Sequence, residues 1–103
     1  MYTVHLKLII VSQFSLSQNY PNPFNPVTKI RFDIPPSQGV GGMITQLTIY
    51  DILGREITTL VNEELKPGTY EVQWDGTNYP SGVYFYKLVA VEYAETKRMV
   101  LVK

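Results

Sequence analysis

Polar and apolar positions alternate along most of this chain. Between Val27 and Ile34, residues Ile30, Phe32 and Ile34 fall on one side of an extended backbone and Lys29, Arg31 and Asp33 on the other. A period of two with charge opposite apolar predicts a half-buried antiparallel strand. Ile44–Tyr50 reads the same way, with Leu47 and Ile49 inward, and Glu56–Val61 pairs back on it. Tyr70, Val72 and Trp74 share a face of a further strand, and Trp74, the single tryptophan, is the expected core anchor. Thr3–Val11 reads as a first strand. Turn signals at 19–26, 35–42, 52–54, 66–68, 76–82 and 92–95 separate these runs. Strands every ~8–12 residues predict a sandwich or barrel. No stretch keeps a helical period; residues 62–66 have room for one helical turn and no more. About seven strands are expected, which by number and spacing is an immunoglobulin-like antiparallel β-sandwich.

The closing stretch reads as a β-hairpin: Val83–Val91 and Thr96–Val102, interrupted by the polar residues 92–95. Tyr84, Tyr86 and Leu88 are expected inward, because the opposite choice buries Lys87. In the last strand Met99 and Leu101 share a face with Lys97 and Lys103, and Val100 and Val102 share one with Arg98. Periodicity leaves both open. Gly82-x-Tyr84 resembles the tyrosine corner of immunoglobulin-like domains. Earlier in the chain, Pro21, Pro23 and Pro26 keep the run NYPNPFNP out of a sheet interior, since proline has no amide to donate. Asn19, Asn22 and Asn25 are expected to close local turns there, and Leu16 and Phe24 to peg the segment to the core.

Composition narrows the function. The 103 residues make one domain, and nine basic residues balance nine acidic ones. A neutral chain lacks the field that nucleic-acid binding needs. With no cysteine there is no disulfide, thiol nucleophile or thiolate metal site. No apolar run approaches the ~20 residues of a membrane helix. The opening Leu8–Val11 is shorter than the roughly 7–15 residues of a secretory h-region, so an export signal is expected on a part outside this sequence.

Candidate chemistry is sparse. His5 is the only histidine and has no partners for a triad or a zinc site. Asp51, Asp75, Glu63 and Glu64 are the carboxylates a glycosidase would need, but each lies in or beside a turn, and so small a sandwich leaves little room for a cleft. Asp75-Gly76-Thr77-Asn78 resembles a calcium loop with too few oxygens and reads as an Asp-Gly turn. Tyr79, Tyr84, Phe85 and Tyr86 would be the platform of a carbohydrate-binding or adhesive module; strand propensity and core filling are the favoured explanation. The last eight residues carry three bases and no acid. They either guard an edge strand or offer Lys97, Arg98 and Lys103 to a partner. No enzyme and no cofactor is expected.

NYPNPFNPVTKIRFDIP, LTIYDILGREITTLV, PGTYEVQWDGTNYPSGVYFYKL and TKRMVLVK follow one another in this order. The succession resembles the type A C-terminal sorting domain of the type IX (Por) secretion system, from about Phe14 to Lys103. The resemblance implies an immunoglobulin-like sandwich on a larger passenger protein, with residues 1–13 an N-terminal strand and linker and residues 14–103 the sorting domain. It implies passage through the periplasm, recognition by the outer-membrane translocon, removal by a sortase-like protease, and release or attachment at the cell surface. Positions matching the family's terminal motif are Gly82, Tyr84, Lys97, Met99 and Lys103; Arg98 joins them as a recognition candidate. The connection after Trp74-Asp75-Gly76 is shorter than in many members, and the chain reads as a fragment of a longer protein. A terminal strand suits β-augmentation by a receptor, and a weak dimer through edge strands is a further expectation. A structural spacer, as in hook-scaffolding relatives of the fold, and a glycan-binding module are the rival readings.

Overall fold

The alternating runs become strands because each has an apolar face to bury against another. The structure, a computed structural model, describes residues 2–5, 12–36 and 41–103. Its strands are β1 (Tyr2–His5), β2 (Ser15–Leu16), β3 (Val27–Ile34), β4 (Met43–Tyr50), β5 (Glu56–Leu65), β6 (Gly68–Asp75), β7 (Gly82–Ala90) and β8 (Tyr93–Leu101). They form two four-stranded sheets, β1-β6-β3-β2 and β5-β4-β7-β8. All strand pairs are antiparallel. Seven strands have four residues or more and β2 has two, so the expected immunoglobulin-like sandwich is what forms. The expected first strand beyond His5, the side chain of His5, and Gly39 and Val40 of the expected loop lie outside the described residues.

The core lies between the sheets. Ile30, Phe32 and Ile34 from β3 meet Tyr70, Val72 and Trp74 from β6, and across from them lie Leu47, Ile49, Tyr86, Leu88 and Met99. Fully burying one such side chain is worth about 1.5–3 kcal/mol, so this set supplies the main driving force. Leu16 and Phe24 are buried as expected.

Two expectations need correction. Residues 62–65 continue β5 and do not form a helical turn: β4 starts at Met43, so Leu65 finds a ladder partner in Met43 and a place in the core. The irregular pattern of Glu56–Leu65 has its cause in two shifts of register opposite β4, which leave Ile57 and Leu60 unpaired. Both bulged residues still pack against the core. The terminal hairpin is also tighter than its polar interruption suggests. Ala90 pairs with Tyr93, so the connection is Val91 and Glu92 alone, and Tyr93–Glu95 belong to β8. Tyr93 is drawn into the strand by packing against the core and stacking on Phe14 at 4.7 Å between ring centroids.

The proline-rich run makes no continuous ladder, as expected of prolines. The Tyr20–Pro21, Asn22–Pro23 and Asn25–Pro26 peptide bonds are cis. The run crosses from one sheet to the other. The Ser17 amide donates to the Arg31 carbonyl, and Tyr20 and Lys29 exchange two backbone bonds, all at 2.9 Å. Further on, the Phe24 amide donates to the Val100 carbonyl, and the Val102 amide to the Phe24 carbonyl, both at 2.9 Å. Residues 18–26 are therefore a strap that closes the side of the sandwich between β3 and β8.

Candidate recognition surface

β8 is an edge strand, and its two faces and two edges have different surroundings. The face left open by periodicity is settled by packing: Met99 and Leu101 point into the core, at 0% and 1% exposure. Arg98 and Val102 face outward. Along the hairpin the odd-numbered residues of β8 lie opposite their β7 partners in hydrogen-bonded pairs, beginning with Ala90 and Tyr93. The even-numbered residues therefore aim their amides and carbonyls away from β7, toward the free edge.

That free edge is open in one half and covered in the other. Over its last part the strap is the neighbour. Gln18 Nε2 donates to the Arg98 carbonyl at 2.7 Å, and the Val100 amide donates to Asn22 Oδ1 at 3.1 Å. The two Phe24 bonds complete the cover. Asn22 thus serves a distant strand and not a local turn, whereas Asn19 does close locally, Nδ2 donating to the Pro21 carbonyl at 3.1 Å. Among the described residues nothing covers the outward backbone groups of Ala94 and Thr96. The unpaired backbone groups expected of the final strand are at its start, and its end is pinned.

The six sequence-derived candidates divide accordingly. Gly82, Tyr84, Met99 and Lys103 come together at one end, with Gly82 opposite Leu101 and Tyr84 opposite Met99. Lys97 and Arg98 lie further up the strand, opposite Tyr86 and Phe85. Tyr84 and Met99 are buried, so they offer a partner of the folded domain almost no surface. Tyr84 is held by its hydroxyl, which donates to the Pro80 carbonyl at 2.5 Å, and by an edge contact with Trp74 at 5.4 Å. Burial pushes its phenol above the usual range. The bond four residues back matches the expected tyrosine corner. Gly82 has φ +153°, and no atom lies within 4 Å of the place a Cβ would occupy, so backbone conformation and not space is what calls for glycine there.

The basic residues are anchored to different degrees. Lys97 Nζ lies 3.3 Å from Glu95 Oε2. Glu95 is held below its ordinary pKa, first by the Tyr93 hydroxyl and then by Lys97. The Lys103 amide donates to Ser81 Oγ at 3.0 Å, and its ammonium donates to the Thr77 carbonyl at 2.5 Å. Asp75 closes the same loop: its Oδ1 accepts the Thr77 amide at 2.9 Å and the Thr77 hydroxyl, which lowers its pKa, with Lys103 adding to the effect. Its oxygens are turn oxygens, as the Asp-Gly reading expects. Arg98 is exposed and has no ion pair among the described residues.

The aromatic residues do not line up as an outward platform. Tyr84 and Tyr86 are core residues; Tyr79 is half-buried against Trp74 at 5.5 Å, and Phe85 is half-buried on the other face of β7. The carboxylates Asp51 and Asp75 serve turns, and Glu63 and Glu64 lie on β5.

Sequence reasoning missed Gln18, Asn22, Thr77 and Ser81, which hold β8 in place. Local pattern carries no signal for such contacts, because their partners lie 78 or more residues away for the strap and 22 or more for the loop.

The family described as secretion system C-terminal sorting domain matches residues 18–103. The match begins at the residue where the strap first touches β8. No curated protein and no solved structure matches the chain.

Proposed function

The chain belongs to the secretion system C-terminal sorting domain family, a sorting signal for type IX secretion, and on that premise we propose that the export machinery reads the folded β7–β8 hairpin. A domain of this family takes its protein to the cell surface or beyond it and interacts with the type IX machinery; the family is a signal, not a catalyst. The reading proposed for this chain is finer. Residues 1–13 lead from an N-terminal passenger into the sorting domain proper, residues 14–103. The domain folds in the periplasm, meets an outer-membrane translocon component, and is then removed by a sortase-like protease.

The observation that carries the reading is the asymmetry of β8. Among the described residues its edge at Ala94 and Thr96 is open, next to Lys97 and Arg98, while residues 98–102 are tied to the strap and Lys103 to the 77–81 loop. On β8 a receptor strand can add at this stretch, and basic side chains flank it. Gly82, Lys97, Arg98 and Lys103 are the surface members of the recognition set. Tyr84 and Met99 act from beneath by fixing the two strands. The strap argues against a dimer through this edge: an antiparallel second copy centred on Thr96 would bring its own Val91–Glu92 turn onto residues 22–24.

The test is an exported passenger carrying this domain with Lys97, Arg98 and Lys103 changed to alanine, in a type IX-competent host. Secretion is expected to fall while the purified domain keeps its thermal midpoint. Undiminished secretion rejects recognition through the basic residues.

A further inference from the structure

The turn between β4 and β5 holds two large aliphatic side chains out in water on a frame that cannot retract them. Ile52 and Leu53 are 67% and 74% exposed. The frame beneath them is closed by its own hydrogen bonds. The Asp51 amide donates to the Arg55 carbonyl and the Gly54 amide to the Asp51 carbonyl, both at 2.9 Å. Asp51 Oδ1 accepts the Leu53 and Arg55 amides, each at 2.9 Å, and Oδ2 accepts Arg55 Nε at 2.7 Å. Gly54 completes the turn at φ +81°, a conformation that favours glycine. The middle of such a turn ordinarily carries Gly, Asn, Asp, Ser or Pro. Neither Ile52 nor Leu53 belongs to the core or packs on it, so the fold has no need of them. Each forgoes the gain of burial by standing in water.

This knuckle borders a groove of about 420 Å³ lined by Ile57, Tyr79, Pro80 and Val83 and ending at Ser81 and Gly82. Ser81 is the residue that accepts the Lys103 amide, so the groove runs on into the end of β8. At the knuckle itself the outward charge is the Arg55 guanidinium, while Glu56 and Asp75 are exposed acids of the same region. Arg55 is 72% exposed while its partner Asp51 is 16% exposed beneath it, and Lys103 is exposed at the other end. Of the nearby acids, Glu56 accepts the Thr59 hydroxyl at 3.5 Å and Asp75 accepts from Thr77.

We propose that Ile52 and Leu53 are docking anchors for a protein of the export machinery that presents an apolar cleft with an acidic rim. The proposal rests on the sorting function above and adds a second contact to the one at the β8 edge. A rigid turn loses little conformational entropy on binding, so two fully desolvated aliphatic anchors convert efficiently into affinity. Arg55, which lines the groove beside the two anchors, matches an acidic group on the rim of the cleft.

The experiment compares fusions of one passenger to the unaltered domain, to an Ile52→Ser, Leu53→Ser variant and to an Ile44→Ser variant, in a type IX-competent host. Ile44 is 62% exposed on β4 and controls for loss of surface hydrophobicity. Export of the double variant is expected to fall about tenfold or more, with Ile44→Ser near the unaltered level and thermal midpoints of the purified chains unchanged. Leu53→Asp is expected to lower export more than Leu53→Lys. Normal export of the double variant, or equal loss with Ile44→Ser, overturns the docking role; equal effects of Asp and Lys overturn the acidic rim. If the unaltered domain itself fails to direct export, the sorting function falls first and the docking role with it.

Discussion

Phe24 and Leu101 form a parallel bridge that joins the strap to the last strand. The Phe24 backbone bonds to Val100 and Val102, on either side of Leu101, and its ring is buried 5.6 Å from Trp74. One residue therefore both fills the core and covers the edge. Phe24→Ala is expected to destabilise the domain by about 3–5 kcal/mol, measured by urea unfolding. That is a large share of the roughly 5–15 kcal/mol of an ordinary domain. Hydrogen exchange should accelerate at the Val100 and Val102 amides before it does at Met99, whose amide belongs to the β7 ladder. Equal acceleration at all three would mean that the strap is not the cover.

Two positions with positive φ should respond in opposite directions. Gly82 has φ +153°, a region nearly closed to residues with a Cβ. Gly82→Ala is expected to cost about 1–3 kcal/mol, although the site has room for the methyl group. Val91 has φ +55° in the hairpin turn and is 70% exposed. A β-branched residue is strained there, and asparagine is not. Val91→Asn is expected to stabilise the domain by about 1 kcal/mol, or roughly 4–8 °C in thermal midpoint for a domain this size. A lower midpoint for Val91→Asn would show that valine makes compensating contacts.

The domain should lose stability at both ends of the pH range. Tyr86 is buried with its hydroxyl donating to the Ser17 carbonyl at 2.7 Å and accepting from the Asn19 amide at 2.8 Å. Burial, the largest influence, pushes its phenol up to about 12. A group raised in the folded state contributes stability that is complete below its unfolded pKa, near 10, and is lost as pH rises toward 12. Asp51, Asp75 and Glu95 are lowered by hydrogen bonds from Arg55, Thr77 and Tyr93 respectively. Their contribution is complete above their unfolded values of 3.8 to 4.5 and is lost as pH falls through the folded ones. A thermal-midpoint profile against pH should be flat between about 5 and 9 and fall on both sides. Tyr86→Phe should remove the buried phenol's part of the alkaline fall; an unaltered alkaline limb would assign it elsewhere.

How much of this was legible in the sequence depended on range. Period two placed β3, β4, β6 and β7 and their inward faces, because each has charge or polarity opposite its apolar side. It failed for Glu56–Leu65, where the bulges at Ile57 and Leu60 break the alternation. It failed at the hairpin, where valine occupies a turn position that local chemistry would give to asparagine or glycine. In β8, lysine and arginine fall on both faces, so only packing decides that Met99 and Leu101 go inward. The candidate site was half legible. Sequence located the hairpin and its bases. The division of its edge into an open and a covered half comes from Gln18, Asn22 and Phe24, some eighty residues earlier.

The strap also sets a clock. Residues 18–26 become available for folding before residues 98–102, yet neither can reach its final bonds without the other. Such non-local closure is slow compared with local folding. Anything joined ahead of this domain has time to fold first, and the sandwich is completed only once Val102 has met Phe24.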